Sequence, residues 1–146
     1  MKSILKVTIC FAFMLMIVSL AEAQKVPKAI KAQIQKDCGG SAKVSSVRIG
    51  PSKNGFFGDC DDYSTNVYEK RGDGIRKIFE SEYGMRGQMG FTKKVYNGYY
   101  EISTGERVGA YLTIEGTYRY KGNKYVRYKC EECNLENPNK PRCGPC

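Results

Sequence analysis

Two short cysteine pairs close the chain: Cys130-Glu131-Glu132-Cys133 and Cys143-Gly144-Pro145-Cys146. Thiolates at that spacing converge on one ion, so inside a reducing compartment the pairs would read as a tetrahedral zinc site. In an oxidising compartment the same residues become disulfides. The choice therefore rests on where the chain goes. Lys2 and Lys6 precede an apolar run from Val7 to Leu20, and Ala21-Glu22-Ala23 supplies small residues where a signal peptidase cuts. The run is shorter than the roughly 20 residues a spanning helix needs. Residues 1–23 are thus expected to be a removable signal peptide, the mature chain to be secreted and extracellular, and no transmembrane segment to remain after cleavage.

Cys10 leaves with the signal, and six cysteines stay: Cys38, Cys60, Cys130, Cys133, Cys143 and Cys146. An even count in a secreted chain predicts three bridges and no metal. Closing a bridge within four residues is tight, so cross-pairing between the two tail motifs is expected. Cys38 with Cys60 is then the third pair, although either could join the tail instead. The Cys143–Cys146 motif resembles the redox motif of thioredoxins. Those proteins place it at the start of a helix that lowers a thiol pKa; here no residue of the sequence follows Cys146, so redox chemistry is not expected.

Arg71-Gly72-Asp73 matches the integrin-recognition tripeptide of adhesion proteins and disintegrin-like inhibitors. A tight turn holds the guanidinium and the carboxylate apart, so the carboxylate can reach a receptor's metal ion. Gly72 and Gly74 favour such an exposed turn. Asp59, Asp61, Asp62 and Asp73 could offer oxygens to calcium but lack the spacing of a calcium loop, so a solvated acidic turn is expected. The segments Tyr118-Arg119-Tyr120-Lys121 and Tyr125-Val126-Arg127-Tyr128-Lys129 interleave aromatics with cations. Tyr118, Arg119, Tyr120, Tyr125 and Arg127 are therefore candidate binding residues, since aromatic and Arg side chains dominate interface energies. Tyrosine is also a good strand former, so the same residues have a purely structural use.

Catalysis has little support. The chain has no His, which removes the commonest general base and metal ligand. No nucleophile elbow or phosphate-binding loop occurs. No catalytic residue and no cofactor is expected, and the chain reads as a non-enzyme.

The elements that must carry these residues are mainly β. Val26 to Cys38 predicts a short basic helix, with Ile30 and Ile34 four apart and Gly39-Gly40 as its stop. Its lysines would suit an anionic membrane; with only two Ile on the apolar side, covering one end of a sheet is the preferred reading. Beyond Ser41 the period becomes two. Strands are expected at Val44–Ile49, Ile75–Tyr83, Phe91–Tyr96, Tyr99–Ser103, Val108–Glu115 and, after Thr117–Tyr120, Lys124–Cys130. Residues 52–66 read as a loop, Thr104-Gly105 as a turn, and Gly116 as a strand break. Asn97-Gly98 is a hairpin signal. In the last strand Tyr125, Arg127 and Lys129 should share one face. The tail after Glu131 shows no periodicity. The fold class expected is mainly β: a small antiparallel barrel or sandwich of about six strands, with a short N-terminal helix and a disulfide-rich C-terminal tail. Residues 24–130 form the domain, and 131–146 a tail continuous with it.

Lys36-Asp37-Cys38-Gly39, followed by Val44, Val47 and Ile49-Gly50-Pro51, resembles the opening of the ML lipid-binding domains. These are secreted β-sandwiches that hold lipids between two sheets. The likeness covers residues 36–51; the family's next cysteine pair and its central Cys-Pro segment are absent, and the four-cysteine tail is foreign to it. What the likeness implies is a minor alternative, a secreted lipid-binding protein.

The formal charge is +9, and removal of two Lys and one Glu with the signal leaves +8. Surplus positive charge favours anionic partners, and secretion argues against nucleic acid. The function expected is that of a monomeric, basic, cysteine-rich binding protein, a toxin-like or antimicrobial-like effector of a venom or defence secretion. Its partner would be an extracellular protein receptor or an anionic surface. The alternative is a structural protein of an extracellular matrix, cuticle or biomineral.

Overall fold

The computed structural model describes residues 25–60, 64–81, 88–137, 139 and 141–146. The expected signal peptide, Asp61, Asp62 and Tyr83 lie outside the described residues. Helix α1 (Lys28–Asp37) leads into two antiparallel sheets. The first holds β1 (Ala42–Gly50), β2 (Lys53–Cys60), β3 (Thr65–Arg71) and β4 (Gly74–Glu80) in that order. The second holds β5 (Gln88–Tyr96), β6 (Tyr99–Arg107), β7 (Leu112–Lys121), β8 (Lys124–Asn134) and β9 (Arg142–Pro145), again in chain order. Each sheet is a meander, so every pairing joins sequence neighbours. The sheets meet where β4 approaches β8 and β1 approaches β6. The result is an open sandwich with a helix on one outer face.

Alternation along the strands sorts the core into two layers. Val47, Ile49, Phe57 and Val67 point from the first sheet toward the second, where they meet Tyr99, Ile102, Tyr118, Tyr120 and Tyr125. Their neighbours Ala42, Val44, Phe56 and Tyr68 point the other way and pack under Ile30 and Ile34 of α1. Gly58 allows the helix to come this close: a Cβ there would lie 2.6 Å from Ile34 Cγ2. Both isoleucines are buried, which stabilises the docked helix by about 1.5–3 kcal/mol each. Because that apolar stripe faces the sheet, the helix has none left to insert into a membrane. Gly39 and Gly40 take positive φ of 80° and 116° and close the helix through bonds from their N–H groups to the Lys36 and Gln35 carbonyls.

The expected class holds, but several boundaries move. Residues 53–60 are strand β2, where a loop was expected. Its Gly55 and Gly58 are places where Tyr68 and Ile34 come close, not turn residues. Strand β6 runs through Thr104-Gly105 to Arg107, and β7 runs through Gly116. Thr104 and Gly116 are partners across these strands, and the Gly116 site is filled by the Thr104 and Tyr118 side chains. The tail is also ordered: β8 continues to Asn134, and β9 returns against it with Cys133 opposite Cys143. Nine strands among the described residues replace the expected six. At the hairpins, Asn97 and Gly98 both take positive φ, as a type I′ turn needs.

Register shifts interrupt four of the ladders, and two of them lie in β4 and β8, where the sheets meet. In β4, Phe79 pairs with Val67 and Lys77 with Tyr68, so Ile78 is the extra residue. The bulge aims both Ile78 and Phe79 into the inter-sheet core. In β8, Lys129 pairs with Thr117 and Arg127 with Tyr118, leaving Tyr128 as the extra residue. Residues opposite one another share a face. Arg127 therefore lies on the Tyr118 side and Lys129 on the Thr117 side, which separates Lys129 from the face expected to unite it with Tyr125 and Arg127.

Candidate functional site: a cleft at the seam between the sheets

Six cysteines form Cys38–Cys60, Cys130–Cys146 and Cys133–Cys143, with Cα separations of 5.2, 5.4 and 4.1 Å. Their thiolates are spent, so the tail cysteines present no zinc site in this form. The first bridge ties the end of α1 to β2, and the other two cross-link the β8–β9 hairpin. Among the described residues no cluster of three or more metal-ligating side chains occurs, and no helix is long and apolar enough to cross a membrane. Asp59 lies on β2 and Asp73 in the β3–β4 turn.

The structure distributes the sequence-derived candidates over three places. Arg71, Gly72 and Asp73 form the exposed tip of the β3–β4 hairpin. Gly72 has φ of 55° and Asp73 has no positive φ, the pattern of a type II′ turn with Gly first. The Arg71 guanidinium folds back onto the Glu69 carboxylate, Nε to Oε2 being 2.9 Å. Glu69 also accepts from Arg76 at 3.0 Å and from the Tyr99 hydroxyl. Burial pushes this carboxyl up, but the Tyr99 hydroxyl and the Arg71 and Arg76 guanidinia outweigh it and hold the pKa below its usual value. Burial and the neighbouring Glu69 raise the Tyr99 phenol. Arg76 also donates to the Tyr120 hydroxyl at 2.8 Å, and the Tyr99 and Tyr120 rings stack at 3.6 Å. The tripeptide is thus anchored to the core through its arginine.

The aromatic candidates are not one surface. Tyr118, Tyr120 and Tyr125 are buried between the sheets, because a strand whose one face enters the core must send every second residue there. Arg119, between two of them, falls on the opposite face. Its guanidinium carbon lies 3.8 Å from the Tyr96 ring centroid and 3.3 Å from that of Tyr128, while its Nε donates to buried Glu101 at 3.0 Å. The continuous Tyr/Arg surface expected from the sequence is replaced by an aromatic core and a stacked arginine outside it.

The concave feature is at the seam. A cleft of about 460 Å³ runs between β4 and β8, lined by Lys77, Ile78, Phe79 and Glu80 on one wall and by Lys124, Tyr125, Val126 and Arg127 on the other, with Tyr118 between them. Its floor is the edge of the core: the Phe79 ring meets Tyr118 at 5.0 Å and Tyr125 at 6.1 Å, both edge-on. Tyr125 donates its hydroxyl to the Tyr100 carbonyl at 2.7 Å, and burial raises its phenol, with nearby Tyr120 and Glu69 adding to the shift. The floor is therefore neutral at ordinary pH. The rim carries three cations and one carboxylate. Lys77 bridges Glu80 at 3.1 Å and Asp37 at 3.3 Å.

Two strand edges leave this cleft open. β4 is the last strand of its sheet. β9 pairs with β8 only from Glu131 to Asn134, so among the described residues the Lys124–Lys129 stretch has no strand on its outer side. Tyr118, Tyr125 and Arg127, singled out from the sequence, line the cleft, but Ile78, Phe79 and Lys124 look like ordinary strand residues until the two sheets are placed edge to edge. No known family model, curated protein or solved structure matches this chain.

Proposed function

We propose that this chain is a secreted, disulfide-stabilised basic binding protein, an effector of a venom or defence secretion that docks an anionic extracellular partner at the seam cleft. The cleft carries this reading. It joins an aromatic floor to a rim that holds three cations and one carboxylate, and a bulge on each wall aims its side chains. Bulges of this kind recur beside functional sites, where they redirect side chains. The chain's positive charge would draw such a partner in by long-range attraction. The exposed Arg71–Asp73 tip is a second contact, with its arginine already held by the buried Glu69 carboxylate.

The matrix reading is second, favoured by the exposure of Tyr111 and Tyr128 at 59% and 61%, which leaves two phenols open to oxidative coupling. The test of the first reading is a residue-resolved NMR titration of the mature protein with poly-glutamate at low and physiological salt. Amide shifts should concentrate at Lys77, Lys124, Val126 and Arg127 and weaken as salt rises. Shifts spread evenly over the helix lysines and the tail would remove the cleft as a docking site.

A further inference from the structure

We infer that the loop joining β6 to β7, with Leu135 beside it, inserts into a phospholipid surface. The inference does not depend on the cleft. Leu112 pairs with Asn134 at one end of the β7–β8 hairpin and Lys121 with Lys124 at the other, so the loop lies at the far end of that hairpin from Lys124. Among the described residues five large hydrophobic side chains are exposed, and three of them are here: Val108 at 43%, Tyr111 at 59% and Leu135 at 37%. The Leu135 N–H donates to the Tyr111 carbonyl, which gathers them at one tip. Gly109 and Ala110 are exposed between them, and no charged residue occurs from Val108 to Leu112. Single exposed hydrophobic residues are ordinary, but a cluster at one tip marks an interaction site.

The backbone favours lipid over a protein groove as the occupant. The Val108 N–H donates to the Leu112 carbonyl at 2.9 Å. The Arg107 guanidinium donates to the Gly109 carbonyl at 3.2 Å and to the Ala110 carbonyl as well. The Tyr111 carbonyl is taken by Leu135. An exposed loop in water can leave such groups to solvent, and a protein groove can offer its own donors. An acyl boundary offers none, so the groups that enter it must be paired within the chain. Arg107 also places a cation in the loop, complementary to lipid phosphates. Tyr111 adds an amphipathic ring of the kind that settles at headgroup level. Arg142 stands at the same end, opposite Asn134, but so do Glu106 and Glu132, both opposite Ile114, and Glu136 beside Leu135. The local charges therefore nearly balance. The chain's net charge of +9 brings it to an anionic bilayer, and the apolar tip holds it there.

The chain has no Trp, so Tyr111→Trp supplies a single fluorescent reporter at the tip. With vesicles of phosphatidylcholine and phosphatidylglycerol its emission should move to the blue and be quenched by lipids brominated along the acyl chain. Tyr128→Trp, equally exposed but stacked on Arg119 at the outer face of the second sheet, should show neither effect. In the Tyr111→Trp background, Val108→Asp and Leu135→Asp should each weaken vesicle binding at least about tenfold, the factor that burying one apolar side chain supplies. Both positions are exposed, so these substitutions leave the core intact. Absence of vesicle binding would overturn the proposal. Co-sedimentation without a blue shift would do the same, since it means adsorption by charge alone, and so would equal shifts at the two reporter positions. A blue shift that grows with protein concentration in the absence of lipid would assign the tip to a second copy of the chain and remove the lipid surface as its occupant.

Discussion

Replacing both Cys38 and Cys60 with Ala should cost this fold about 3.4 kcal/mol. The bridge spans 22 residues of sequence, and the loop-closure entropy it removes from the unfolded chain amounts to about 11 cal/mol/K. That entropy is used at a vulnerable place. Helix α1 has only ten residues, too short to persist alone in water. It has no side-chain N-cap and no acidic residue in its first turn, so its stability must come from docking. Besides the bridge, Ile30 and Ile34 hold it, together with the Tyr68 hydroxyl donating to Asp37 at 2.5 Å and the Lys77–Asp37 ion pair. Urea and thermal unfolding of the oxidised mature protein, followed by near-UV circular dichroism of its tyrosines, would measure the loss. For a domain of this size the midpoint should fall on the order of 10–15 °C. The matched control is Cys133→Ala with Cys143→Ala. That bridge is nested inside Cys130–Cys146 and staples a hairpin beyond the core, so its removal should raise hydrogen exchange in β9 and leave the main transition nearly in place. A loss below about 1 kcal/mol in the Cys38/Cys60 variant would refute the reasoning. It would mean that the unfolded chain already keeps the helix against β2, so closing the loop costs little.

Two further outcomes follow from the core. Gly116→Ala should destabilise by about 1–3 kcal/mol, because a Cβ there would stand 2.7 Å from Thr104 Oγ1 and 2.8 Å from Tyr118 Cε2; an unchanged urea midpoint would show that the Tyr118 ring yields freely. Glu69 should make stability pH-dependent in the acid range. Its folded pKa is depressed, so its contribution is present above the ordinary carboxylate value and is lost as pH falls through the folded value. Glu69→Gln should remove that part of the slope below the ordinary carboxylate value and cost about 1–3 kcal/mol at neutral pH. Parallel pH profiles of wild type and variant would show that the Tyr99–Arg71–Arg76 arrangement is not what depresses it.

The mainly β class, the basic helix and the Asn97-Gly98 hairpin were legible because each has a local cause: period-two alternation, Ile spacing, positive φ at a tight turn. The errors share one cause as well. Gly55, Gly58, Thr104-Gly105 and Gly116 carry turn-like residue types, yet all lie inside strands. At three of them the missing side chain leaves room for another element: the Tyr68 backbone at Gly55, Ile34 at Gly58 and Thr104 at Gly116. A glycine required by a neighbour's bulk and a glycine required by a turn look alike until the neighbour is known. The tail was obscured differently. Its strand is only four residues long, too short for a period, and it is fixed by two bridges and by pairing with the end of β8.

The cleft was illegible for a stronger reason. Its two walls are separated by three strands of sequence, and only the β8 wall carries a pattern, the interleaved Tyr and Arg of 125–129. What makes it a site is the pair of bulges, and a bulge is a mismatch between two strands, so no single segment encodes it. Ile78 and Phe79 are adjacent, and in a regular strand they would point to opposite faces; the extra residue turns both inward. On β8 the extra residue is Tyr128, whose ring covers Arg119 on the outer face while Arg127 stays on the cleft side. One irregularity therefore divides the cluster Arg127-Tyr128-Lys129 among separate uses. The same step explains why the tyrosines gave an ambiguous reading. Tyr118 and Tyr125 belong to the core by burial and to the cleft by their exposed edges, so structural and binding uses coincide in the same rings. A substitution at either would damage both at once, which is why the rim residue Lys124, and not the aromatic floor, is the position at which binding can be separated from folding.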